Sequence, residues 1–492
     1  MSHFEQADAA ASADRDLPTN SEVLMGDAAT PDHSAEPPRS PRDFRWGAAT
    51  AAFQIEGATS ADGRGESIWD VFTRTPGRVL EGTTAEVAAD SYRRYGDDVA
   101  LLATLGVDDY RFSIAWPRVQ PTGAGPANEP GLAYYDRLVD ALLAEGIAPV
   151  PTLYHWDLPQ PLEAAGGWLN RDTAARFADY AALVVDRLGD RVARWITLNE
   201  PAMTTLQGYA LGTQAPGHAL MMGALPTAHH QLLAHGLAVA AIRARGSAEV
   251  GITNNHTLVV PATDAPGDRL AAGAFDLVYN RIFAGPVLTG AYPDLSAFGL
   301  DAMPGLADGD LELIGAPLDF YGVNFYNPTR VAAASDGSEF ATAGLPFEPV
   351  EFEGVPTTGF GWPIVPAAFT ELLVSLDRDY GERLPPIVIT ENGASFPDEV
   401  VDGAVHDERR TAYLAEHIDA VRAAIELGVD VRGYYLWSLL DNFEWAEGYT
   451  QRFGLVHVDF ESGERVPKDS FEWYRELIAR ERVARNQENG AA

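Results

Sequence analysis

The chain has 492 residues, with 35 basic against 71 acidic side chains, a net charge of −36, no cysteine and 46% hydrophobic residues. Phosphate binding needs a basic face, so this charge argues against nucleic acid and against an anionic membrane surface as partners. Without cysteine there are neither disulfides nor thiolate metal sites, and no apolar run approaches the roughly 18 residues of a membrane helix.

Residues 1–41 are rich in Ala, Ser, Asp, Glu and Pro and end in Glu36-Pro37-Pro38-Arg39-Ser40-Pro41. They hold too few large apolar groups to offset the entropy of ordering, and we read them as a disordered tail. They lack the basic start and apolar centre of a secretory signal. With the absence of cysteine, this predicts a cytoplasmic location. Lys468 is the only lysine, and arginine supplies every other basic group. The acidic excess would keep the protein soluble in salt.

From Phe44 onward short β-rich runs alternate with helical ones. The β-rich runs fall at 44–54, 109–114, 148–154, 194–199, 250–254, 318–325, 386–390 and 431–436. Among the helical runs, 136–145 puts Leu138, Val139, Leu142 and Leu143 on one face. The run 174–188 does the same with Phe177, Tyr180, Ala181, Val184 and Leu188, and 406–427 is long and rich in charge. Eight strand–helix units predict an α/β fold, a closed parallel (β/α)8 TIM barrel. The residues beyond the usual length of about 250 belong in long βα loops. We expect one catalytic domain over 42–482 and a short flexible tail over 483–492.

In such a barrel the C-terminal ends of distant strands converge on one pocket. Taken in order, the strand ends offer Gln54, Arg111, His155-Trp156, Asn199-Glu200, Asn324 with Tyr326, Glu391, and Trp437 followed by Glu444-Trp445. Glu200 in Thr197-Leu198-Asn199-Glu200-Pro201 and Glu391 in Ile389-Thr390-Glu391-Asn392-Gly393 are carboxyls presented from separate strands. Glycosidic bond cleavage needs such a pair, one as acid and one as nucleophile or base. Gln54, His155, Asn199 and Glu444 could hydrogen-bond a sugar's rim. Trp437 could lie against its C–H face and Trp445 could donate its indole N–H. Each residue taken alone also has a bland reading, as a turn, an ion pair or a core ring. No Walker motif and no GxGxxG after a strand appears, and no cofactor is expected. His229, His230 and His235 lack metal-ligand spacing and are read as packing and surface. Asp97-Asp98 and Asp108-Asp109 are read as solvated or capping charges.

The chain resembles glycoside hydrolase family 1, the β-glucosidase family, over 44–480. The resemblance rests on six segments in family order: Phe53-Gln54-Ile55-Glu56-Gly57, Tyr110-Arg111-Phe112-Ser113, Leu153-Tyr154-His155-Trp156-Asp157, the two glutamate segments above, and Leu436-Trp437-Ser438-Leu439-Leu440-Asp441-Asn442-Phe443-Glu444-Trp445. It implies that Glu200 is the acid/base and Glu391 the nucleophile. It implies that Gln54, His155, Trp156, Asn199, Glu444 and Trp445 bind the glycone with Trp437 as platform, and that Arg111, Asn324 and Tyr326 flank the nucleophile. A retaining β-glucosidase is then expected, with Glu200 kept protonated by the charge of Glu391 and Glu391 kept ionised by Arg111.

Glu444-Trp445-Ala446-Glu447 offers no basic group for a phosphate, so a non-phosphorylated β-D-glucoside or oligosaccharide is the expected substrate. Galactoside or fucoside preference, transglycosylation, inversion and a catalytically weak sugar-binding barrel are the alternatives. Loop length places Trp362 at the aglycone end of the pocket, and a homo-oligomer is compatible with all of these readings.

Overall fold

The computed structural model describes residues 40, 41 and 43–490. The expected N-terminal tail therefore lies outside the described residues except for its last positions. Eight parallel strands close into a barrel. They are β1 (Arg45–Ala49), β2 (Asp109–Ser113), β3 (Ala148–Tyr154), β4 (Arg194–Asn199), β5 (Glu249–Asn255), β6 (Phe320–Asn324), β7 (Ile387–Asn392) and β8 (Val431–Trp437). Each pairs with its sequence neighbour, and β1 pairs with β8 to complete the ring. The strands are buried on both faces, as a helix-wrapped parallel sheet requires.

The first β-rich run is shorter than the sequence suggests. The strand stops at Ala49 and a single helical turn, Ala52–Ile55, follows. Ala51 N-caps this turn in an extended conformation, and Ser113 Oγ accepts from the Ala52 amide at 2.7 Å. The alanines of this stretch have little β-propensity to extend the strand. Gln54 thus sits on a turn of helix above the barrel mouth rather than at a strand end.

The helix Asp172–Leu188 buries Phe177, Tyr180, Ala181, Val184 and Leu188, the face its spacing marks out. The helix Leu225–Arg243 packs beside it and against Asp310–Ile314, so it is buried nearly all round. His229, His230 and His235 are all buried there, which corrects the surface part of their reading. His235 Nδ1 lies 2.7 Å from Thr197 Oγ1. His229 bridges Asp310 and Tyr292, and His230 bonds the Trp168 carbonyl.

Two of the four aspartates read as solvated are buried as well. Asp98 pairs with Arg465, and Asp109 with Arg45 and Tyr435. A buried charge persists only with such a partner. At the C-terminus a helix runs Asp469–Gly490, so the expected domain end at 482 falls inside a helix.

The extra length sits in the βα loops. Those after β5 and β6 build a small three-stranded sheet from Val259–Pro261, Thr329–Ala333 and Phe347–Val350. The loop after β8 holds a hairpin, Val456–Val458 with Arg465–Pro467. No helix among the described residues is long and apolar enough to cross a membrane.

Candidate active site

β4 ends at Asn199, and the chain turns sharply at Glu200, whose φ is +48°. Pro201 opens the short helix Pro201–Met203. A proline there has no N–H to leave unpaired and keeps the residue before it out of the right-handed helical region. A left-handed conformation costs a non-glycine residue roughly 1–2 kcal/mol. The bond from the Glu200 amide to Thr253 O, at 2.9 Å, helps to hold it.

Glu391 lies inside β7, where the register against β6 shifts between Ile389 and Glu391. The same strand shifts against β8 before Asn392. Such bulges re-aim side chains next to active sites. Arg111 Nη1 donates to Glu391 Oε1 at 2.6 Å, and Tyr326 Oη donates to Oε2 at 2.6 Å. Arg111 and Glu391 are both buried, so their charges answer one another rather than water.

One polar chain joins the two glutamates. Arg111 Nη2 donates to Asn199 Oδ1 at 2.6 Å. Asn324 Nδ2 donates to that same oxygen at 3.1 Å and to Glu200 Oε1 at 2.6 Å. With its oxygen so engaged, Asn199 turns its amide nitrogen to His155 Nε2 at 3.0 Å. The imidazole proton is thereby placed on Nδ1, which has no protein partner.

The facing wall comes from the β1 turn and the loop after β8. Gln54 Nε2 donates to Asn442 Oδ1 at 2.9 Å and to Glu444 Oε2 at 3.1 Å. Its Oε1 is buried and unpartnered. The ring planes of Trp437 and Trp445 lie 21° and 17° from that of His155, and Trp445 stacks on Phe53. Trp156 donates its indole N–H to Asn199 O at 3.0 Å, so its polar end braces the protein.

A cavity of about 400 Å³ opens between these walls. Glu200, Glu391, His155, Trp156, Asn324 and Tyr326 line it, together with Trp437, Glu444 and Trp445. Gln54, Arg111 and Asn199 stand behind that lining and are joined to it by the bonds above. Trp362 lines the cavity too, with Phe360 stacked on it at 4.4 Å.

The strand-end reading missed Asn255, which ends β5 and lines the cavity. Asn255 directly follows the β-rich run 250–254, so the strand-end signal extends to it. Gln207, on the π-helical stretch Thr204–Ala210, and Gln214, in the loop beyond it, also line the cavity, and neither stands at a strand end. Asn442, which orients Gln54, is legible only once the fold is known.

Burial, and after it the Glu391 carboxylate, pushes Glu200 up to about 8. The sequence reading named only the second of these causes. Burial and Glu391 also push Glu444 up to about 8. Burial, aided by Arg111, holds His155 well below the usual histidine range, so it is neutral. Among the described residues, no group of three or more His, Asp or Glu could hold a metal ion.

A parallel (β/α)8 barrel with two buried carboxyls on one sugar-sized cavity has the architecture of a glycoside hydrolase. The model of "Glycosyl hydrolase family 1" matches residues 37–483, and the chain belongs to that family. It is 45% identical over 445 residues to "Beta-glucosidase A" of Acetivibrio thermocellus, covering 89% of this chain and 98% of that protein. It is 47% identical over 458 residues to "Bifunctional beta-D-glucosidase/beta-D-fucosidase" of Bifidobacterium breve, covering 89% and 98%. The crystal structure of a psychrophilic beta-glucosidase from Micrococcus antarcticus superimposes with a TM-score of 0.87 at 45% identity, covering 90% of this chain and 98% of that one.

Proposed function

We propose that the chain is a retaining β-glycosidase that hydrolyses terminal, non-phosphorylated β-D-glucosides through a covalent glycosyl-enzyme. The observation that carries this is the unequal treatment of two carboxyls on one cavity. Glu391 is ion-paired to Arg111 at 2.6 Å, whereas Glu200 is held up to about 8. One is equipped to attack as a carboxylate and the other to donate a proton at neutral pH.

In the first step Glu391 attacks the anomeric carbon while Glu200 protonates the departing oxygen. Esterification removes the charge of Glu391, which is one of the causes raising Glu200, so Glu200 becomes the more acidic. It then accepts a proton from water as that water displaces the sugar from Glu391. Tyr326 and Arg111 hold the nucleophile's oxygens, and Asn324 holds Glu200.

Gln54, His155, Asn199, Glu444 and Trp445 form the proposed glycone set, with Trp437 as platform and Trp156 as brace. The free Gln54 Oε1 and His155 Nδ1 suit sugar hydroxyls, which both donate and accept. The B. breve relative is named a bifunctional β-D-glucosidase/β-D-fucosidase, which supports fucoside as a second substrate. We further propose a cytoplasmic location, in keeping with the absence of cysteine.

The test is turnover of aryl β-D-glucoside, galactoside and fucoside, with the first-released sugar followed by proton NMR. β-Glucose appearing before the α-anomer supports retention. Initial α-glucose refutes it, and no turnover of any aryl β-glycoside favours a binding protein.

A further inference from the structure

The only lysine of the chain is buried in an ion cluster beside the site. Lys468 Nζ lies 2.5 Å from Asp398 Oδ2 and 2.8 Å from Asp441 Oδ1, and its side chain is fully buried. Arg410 joins Asp398 to Asp407, and Arg452 takes the other oxygen of Asp441. Three cations thus meet three carboxylates. The Asp407 carboxylate also accepts from Ser470, two residues beyond Lys468.

The cluster joins the chain leaving β7 to the chain leaving β8. Arg410 also bonds Ala394 O and Arg452 O. On the other side, the Asp441 amide bonds Val456 O at 2.9 Å, and its Oδ1 accepts from the Gly454 amide. Asn442 comes next and holds Gln54, and Gln54 holds Glu444. Arginine occupies every other basic position in the chain. Between Asp398 and Asp441, beside the Arg410 guanidinium, the compact three-donor ammonium can be centred where a planar fork cannot.

We propose that Lys468 is a positioning residue for glycone recognition. Set between Asp398 and Asp441, its ammonium fixes residues 441–444, and so Glu444 and Gln54, relative to the exit of β7 that carries Glu391. Lys468 touches no substrate, and its effect passes through Asp441. The inference rests on the functional reading above.

The test is a double-variant cycle with Lys468→Met and Glu444→Gln on an aryl β-D-glucoside. Lys468→Met is expected to raise KM about tenfold and to change kcat less than about threefold. In the Glu444→Gln background the same change is expected to cost less than about threefold, because the interaction it positions is already gone. Arg422→Met supplies the control for lost stability. Arg422 is buried and pairs with Asp419 and Glu481 away from the site, so its loss should lower the melting temperature without moving KM.

Equal cost of Lys468→Met in both backgrounds, or no cost in either, overturns the proposal. If Lys468→Met does not fold, Lys468→Arg keeps the charge and carries the same cycle under the same criteria. If the wild type turns over no aryl glycoside, the functional reading fails on its own. The cycle is then read from deoxynojirimycin affinity by calorimetry, where additive losses again overturn the positioning role.

Discussion

Glu391 accepts from Arg111 at 2.6 Å with both side chains buried, although 280 positions separate the two in the chain. The bond orders more than one carboxylate. Arg111 also reaches Asn199, Asn199 is shared with Asn324, and Asn324 holds Glu200. A change at any member is therefore felt at both glutamates.

Arg111→Met should leave Glu391 as a buried charge without its cation. Breaking a buried pair from one side typically costs about 3–5 kcal/mol. We expect a marked fall in stability, read by urea unfolding, and a loss of kcat of at least about 10²-fold. Arg111→Lys keeps the charge but cannot bridge Glu391 and Asn199 with one planar group, so it should rescue only in part.

Replacing the carboxyls should separate their roles. Glu200→Ala should reduce turnover by about 10²–10⁴-fold for glycosides with poor leaving groups, and less for nitrophenyl glycosides, whose departure needs little protonation. Glu391→Gly should be nearly inactive, and added azide or formate should restore turnover with an α-linked product. Full activity in either variant would remove that residue's assigned role.

The pH profile follows from the raised groups. Glu200 must be protonated for the first step, so kcat/KM should fall as pH rises through about 8. The stability effect has the same direction. Glu200 and Glu444 are both raised to about 8 in the folded protein from the ordinary glutamate value of 4.5. The fold therefore disfavours their charged forms, and the associated stability is present below about 4.5 and lost as pH rises through about 8. Glu444→Gln should accordingly melt higher than the wild type at pH 8.5, with a smaller advantage at pH 5. Calorimetry at the two values checks this, and an advantage that does not grow with pH would contradict it.

Gly393 follows Glu391-Asn392 at the end of β7. A Cβ on Gly393 would sit 1.8 Å from Trp437 O, a backbone atom that cannot move aside cheaply. Gly393→Ala should destabilise the protein by about 1–3 kcal/mol and disturb the strand exits that carry Glu391 and Trp437. Urea unfolding with parallel kinetics reads both effects.

A 6-phosphoglucoside would bring its phosphate toward a pocket whose loop after β8 offers Glu444 rather than a cation. Among the described residues the cavity lining holds no Arg or Lys to pair with a phosphate, and burying an unpaired anion costs several kcal/mol, so kcat/KM should fall by more than about 10²-fold relative to the plain glucoside. Comparable rates on the two substrates would contradict the substrate reading.

The barrel was legible because eight short runs rich in β-branched and aromatic residues alternate with helical segments, and because the chemistry stands at strand ends. What sequence missed depends on contacts between remote parts of the chain. Asp98 looks like one of a pair of surface charges until Arg465 is brought to it. The histidines of Leu225–Arg243 look half-exposed until a second helix covers their other side. Gln54 reads as the end of a strand because its neighbours are apolar, whereas local hydrogen bonds bend it into a helical turn. Asn442 lies within a resemblance segment that assigns it no role, and Lys468 lies in none, so their roles arise only when remote parts of the chain meet.

Labelling with an aryl 2-deoxy-2-fluoro-β-D-glucoside tests the central claim most directly, because the fluorine slows breakdown of the glycosyl-enzyme. We expect one sugar per chain by intact mass, located after peptic digestion on the peptide containing Glu391. No adduct despite turnover of the parent glucoside, or an adduct on any other residue, would contradict the account.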